Sequence, residues 1–158
     1  MRKRSRYRPS AVISNPLALV TPPSKPEREQ MMLRLYTALH AVAAGSQPGE
    51  DEWRDLADVV NTLETLALHR KKISAQDVMP IVHRATEAMV MAAKRYPATG
   101  AIRLDGQGLQ ALRDALAIFE SCMETLSARE MQLAGLETAQ RVRQLRKMAD
   151  SSDKVVSL

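Results

Sequence analysis

A chain of 158 residues suits one domain with one core. Apolar residues make up 45% of it and aromatics only 3%, so the core has to come from Leu, Ala, Val and Met, a mix that favours helices over sheets. The net charge of +5 is not spread over the chain: residues 1–26 hold six bases and no acid, leaving 17 bases against 18 acids elsewhere, which argues against a globally basic binding face and for contact at one end.

The chain opens "MRKRSRYRPS". Arg2, Lys3, Arg4, Arg6 and Arg8 supply the charge, and Tyr7 sits among them. Residues 1–24 have no helical period and four prolines, so an extended, basic N-terminal arm is expected. Within it, Val12, Ile13, Leu17, Leu19 and Val20 are apolar and suited to lie against the body or a partner. Asn15 and Pro16 interrupt this stretch, and the following "TPPSKPE" lacks a small-residue cleavage site. Five prolines between positions 9 and 26 oppose the amphipathic helix of a transit peptide. Cys122 is the only cysteine and can form no internal disulfide. Together these point to the cytoplasm.

Five helices are expected behind the arm. Ser24 with Glu27 is a capping box, and Pro26 falls in the first turn, where a missing N–H is harmless. Met32, Leu35, Leu39 and Val42 then recur at helical spacing until Gly45 and "SQPG". The second helix starts in Glu50–Asp51–Glu52, presents Trp53, Leu56, Val60, Leu63 and Ala67, and closes on "HRKK" at 69–72, with each charge at the favourable dipole end. For the third, Pro80 lies too deep if Ser74 caps, so a start near Asp77 is predicted. Its buried face is Ile81, Ala85, Ala88, Met89 and Ala92, and "YPATG" ends it. Asp105 caps the fourth helix, whose Leu109, Leu112, Leu116, Phe119 and Met123 form a heptad seam. Ser127 and Glu130 open the fifth, expected over about 128–149 with Leu136, Ala139, Val142 and Leu145 on one side. Residues 150–158 read as a frayed tail. The fold class is therefore all-α: a bundle of about five helices, residues 25–149, behind the arm.

No constellation fixes a reaction. His40, His69 and His83 come from three helices, and His83 with Glu87 is best explained as an exposed polar pair, since a catalytic zinc needs three protein ligands. Cys122 reads as a small hydrophobic filler. "DGQGL" lacks the Lys and Ser/Thr of a phosphate loop and reads as a helix start. The nine methionines suit an adaptable groove, although Met89 and Met123 lie on core stripes. No catalytic residue, metal or cofactor is expected.

The arm carries the functional signal. Cations in a flexible chain can follow phosphates, and Tyr7 can stack on a base. Arg141, Arg143, Arg146 and Lys147 form a second basic patch, in which Arg143 and Lys147 are one turn apart. The residues expected to bind nucleic acid, DNA or RNA, are Arg2, Lys3, Arg4, Arg6, Tyr7, Arg8, Arg143 and Lys147. The alternative is a module that binds a host or phage protein and inhibits or redirects it. A homo-oligomer through the Leu109–Met123 seam is the third reading, and no run approaches a membrane span.

The order "RYRP", "NPL", then "W..L...VN..E.L" from Trp53 to Leu66, then Thr99, Gly100 and Leu104, then "L..AL..FE..ME.L" from Leu112 to Leu126 resembles a family of small helical proteins encoded by phages, prophages and mobile elements of Gram-negative bacteria. The resemblance implies a bacterial cytoplasm, an accessory or regulatory role, and no catalysis.

Overall fold

The structure is a computed structural model that describes residues 20–44 and 50–156, with side chains for 20–44 and 51–148. It is an all-α bundle of five helices: α1 (Lys25–Ala44), α2 (Glu50–His69), α3 (Ala75–Thr99), α4 (Gly106–Thr125) and α5 (Ala128–Val156).

The helix starts are built from short polar signals. At α1 the Ser24 N–H and hydroxyl donate to Glu27 Oε2 at 2.8 and 2.7 Å. These bonds, the hydroxyl first, hold the Glu27 carboxyl below its ordinary range. At α4 the Gly108 N–H donates to Asp105 at 2.7 Å. A methyl group built at Gly108 would come within 3.0 Å of Ala88 Cβ, so this glycine allows α4 to press against α3. At α5 the capping box is reciprocal: the Ser127 N–H donates to Glu130 Oε2 at 2.9 Å, and the Glu130 N–H returns to Ser127 Oγ at 3.2 Å.

The third helix corrects the predicted start. Ser74 is the N-cap, its hydroxyl accepting from the Asp77 N–H, and the helix begins at Ala75. Pro80 is inside it. The carbonyl that Pro80 leaves without a donor belongs to Gln76, and both residues are exposed near the helix start, where water can take the place of the lost bond. Pro97 is likewise tolerated in the last turn, and Gly100, at φ 65°, closes the helix with its N–H on the Tyr96 carbonyl at 2.8 Å.

The second helix is central, packing against α1, α3, α4 and α5. Its predicted stripe is buried or half-buried, but Val59, Thr62, Thr65 and Leu66 are buried too. A helix covered on several sides needs apolar or small residues around most of its circumference. The α4 seam closes the monomer core: Leu112, Leu116, Phe119 and Met123 are buried and Leu109 is half-buried. That seam is therefore used inside the bundle and is not presented to a second copy.

The apolar side expected for α5 is not the side that faces the bundle. Leu136 and Leu145 are 62% and 57% exposed. The side that meets α2 is instead Ala134, Thr138 and Arg141. Thr138 Oγ1 lies 2.8 Å from Thr65 Oγ1. Arg141 pairs with Glu64 and donates to the Asn61 carbonyl. Farther along, Glu137 pairs with Arg70 at 2.9 Å and Glu130 with Lys72 at 3.0 Å. Partners advance along α5 as they recede along α2, so the two helices are antiparallel. The basic residues after α2 thus do more than face a helix dipole: they hold α5.

Candidate nucleic-acid interface

Arg2, Lys3, Arg4, Arg6, Tyr7 and Arg8 lie outside the described residues, as does the apolar stretch 11–19. The root of the arm is described. The Thr21 carbonyl accepts a hydrogen bond from the Ala128 N–H at 2.8 Å. Ala128 is the first residue of α5, and the leading N–H groups of a helix have no partner within it. Two residues on, the Pro23 carbonyl accepts from Arg28 at 2.8 Å, and the same guanidinium reaches Glu124 at 4.0 Å. The arm is therefore rooted where α1, α4 and α5 meet.

The basic residues of α5 divide by direction. Arg141 is committed to α2 through Glu64 and Asn61, so it leaves the predicted patch. Arg146 lies close enough to Asp58 to favour its charged form. Burial and the neighbouring Asp55 still push that carboxyl up, against Arg54 and Arg146. Arg143 and Lys147 are both exposed, one turn apart. Leu136 and Arg129 precede Arg143 at seven-residue steps and are exposed as well, so the outer face of α5 combines cations with a leucine. Because α5 runs to Val156, these cations sit more than two turns from its end. The helix dipole, which acts within the last turn, does not account for them.

The two basic regions are within reach of each other. From Ala128 at the arm's root, a rise of about 1.5 Å per residue puts Arg143 roughly 22 Å and Lys147 roughly 28 Å away. The residues between Arg8 and Thr21 can span up to about 43 Å when extended. One polyanion can contact both.

Elsewhere the chemistry is sparse. His40, His69, His83 and Glu87 are all exposed. Among the described residues no group of three or more His, Cys, Asp or Glu side chains could hold a metal ion, and no helix is long and apolar enough to cross a membrane. Cys122 is 3% exposed, and burial pushes its thiol up to about 11. It is protonated at neutral pH, and the thiolate is the reactive form.

A groove of about 390 Å³ lies beside the arm's root. Met31, Met123 and Met131 line it with Phe119 and Pro23. Its signal in the sequence is the methionine count; Met123 belongs to the core as its helical spacing predicts and also lines the groove.

Protein-family models, curated proteins and solved structures all give no match to the chain.

Proposed function

We propose that this is a non-enzymatic accessory or regulatory protein that binds nucleic acid through its basic N-terminal arm, with Arg143 and Lys147 as a second contact. The carrying observation is the segregation of charge: six bases and no acid in residues 1–26, on a body of 17 bases and 18 acids. A polyanion would meet the arm first and then the outer face of α5, whose cations lie within the arm's span. Tyr7 adds a stacking surface that tolerates any base. The motif resemblance described above supports the accessory role, in a phage or mobile-element setting and in a bacterial cytoplasm.

The test is salt-dependent binding to duplex DNA and to single-stranded RNA. Each phosphate contact contributes about 0.9 to the log–log salt slope on B-DNA and about 0.7 on single strands. Deleting residues 1–9 is expected to abolish binding with the fold intact. Unchanged affinity for both nucleic acids would sink the reading.

A second reading is a module that docks on a host or phage protein. The observation that favours it is the two-faced first helix, which buries Met32, Leu35 and Leu39 while exposing Leu33 and Tyr36. A single protein recovered with the full chain, and retained after nuclease treatment, would support this reading over the first.

A further inference from the structure

We propose that the apolar stretch 11–19 of this chain docks into the groove at the root of its own arm. The groove lies where the start of α1, the end of α4 and the start of α5 converge. Met31 and Met131 form its open walls, the largely buried Phe119 and Met123 its floor, and Glu27, Thr62 and Gln132 are its polar members.

The tether chooses the occupant. Thr21 is fixed to Ala128 by the 2.8 Å hydrogen bond, and Ala128 and Pro23 both line the groove. The chain therefore enters the described structure at the groove's edge. The residues just upstream reach it through a very short loop, where closure costs least, and at the high effective concentration that a short tether gives. A partner in solution has neither advantage.

The chemistry of the stretch agrees with the walls. Residues 11–19 read "AVISNPLAL": Val12, Ile13, Leu17 and Leu19 are the large apolar members, and none of the nine is charged. The basic residues stop at Arg8 and resume at Lys25, so the uncharged part of the arm is the part nearest the groove. Thioether walls adapt to an irregular apolar chain better than branched side chains do. Val20 and Met31, 63% and 45% exposed, flank the path and would be covered.

The docked stretch excludes every base of the arm, so the arm can still bind a polyanion. Docking draws Arg8 back toward the root, and Arg143 and Lys147 are then reached by the length of the polyanion instead of by the arm's own extension. The experiment is hydrogen exchange on the full chain, together with methyl NMR of its methionines. Amides of residues 12–19 are expected to exchange about tenfold or more slower in the parent than in the double variant Leu17→Asp, Leu19→Asp. In that variant the Met31 and Met131 methyl signals should move while Met89, buried on α3, stays in place. Met31→Glu alters one half-exposed wall and should also release the protection, with the unfolding midpoint near that of the parent. Unprotected exchange in the parent would overturn the proposal. So would unmoved methyl signals, or protection that survives Met31→Glu. Protection that rises with protein concentration would assign the stretch to a second copy and overturn it as well. Loss of DNA binding on deleting residues 1–9 bears only on the functional reading.

Discussion

The core shared by α1–α4 is made of Leu39, Val42, Leu63, Val82, Leu112 and Leu116, whereas the seam between α2 and α5 is made of Thr65, Thr138, Glu64, Arg141, Arg70 and Glu137. The first region gains stability from area removed from water, roughly 25 cal/mol for each Å². The second relies on hydrogen bonds and ion pairs, each worth about 1 kcal/mol net. The second is also imperfect: Glu137 Oε2 is buried with no hydrogen-bond partner. The body thus rests mainly on apolar burial, with ion pairs such as Arg34–Asp55 and Arg84–Asp114 at its edges. The last helix leans more on hydrogen bonds and ion pairs, so salt should act more on its attachment.

The comparison can be broken from either side. The largest effect is expected for Leu63→Ala or Leu116→Ala, about 2–5 kcal/mol by urea unfolding, because both side chains are fully buried and leave a cavity. An intermediate effect, about 1–2 kcal/mol, is expected for Arg141→Ala, which strips Glu64 and the Asn61 carbonyl of a donor at a partly exposed site. Its signature is local: α5 amides should exchange faster while those of α4 do not. Thr138→Val should cost about 1 kcal/mol, with the same local signature.

Acid should also act on the seam before the core. The Glu130 carboxyl is held down at about 2 by the Ser127 N–H, then by Lys72 and the Ser127 hydroxyl. A folded pKa below the unfolded one stabilises above the unfolded value, near 4.5. That contribution is lost as pH falls from there toward about 2. Titrating the parent against Glu130→Gln should show the difference between them vanish across that window. The smallest stability change belongs to Arg143→Ala, within about 0.5 kcal/mol for an exposed residue. Its effect should instead be read in the salt slope of nucleic-acid binding, which should drop by about 1.

Legibility followed the same division. The stripes of α1 and α4 could be read because their buried faces are apolar, and periodicity detects apolar faces. The face of α5 could not, because the residues that dock are Ala134, Thr138 and Arg141 while Leu136 points outward. Hydropathy sees an exposed leucine and misses a threonine that bonds across a seam. The start of α3 differs from its expected place because Pro80 reads as a costly interior position, whereas the exposed carbonyl of Gln76 makes it tolerable. Of the expected binding residues, Arg143 and Lys147 are exposed on α5, while Arg2, Lys3, Arg4, Arg6, Tyr7 and Arg8 lie outside the described residues. Charge counting finds such an arm but says nothing of where it is rooted, since the Thr21 to Ala128 hydrogen bond joins backbone atoms that carry no side-chain signal.

That one bond has a mechanical meaning. It ties residue 21 to residue 128, so tension applied to the arm is delivered to the first turn of α5 as well as to α1. A pull on the N-terminus would therefore load two helices at once, one seated by apolar burial and the other by a polar seam.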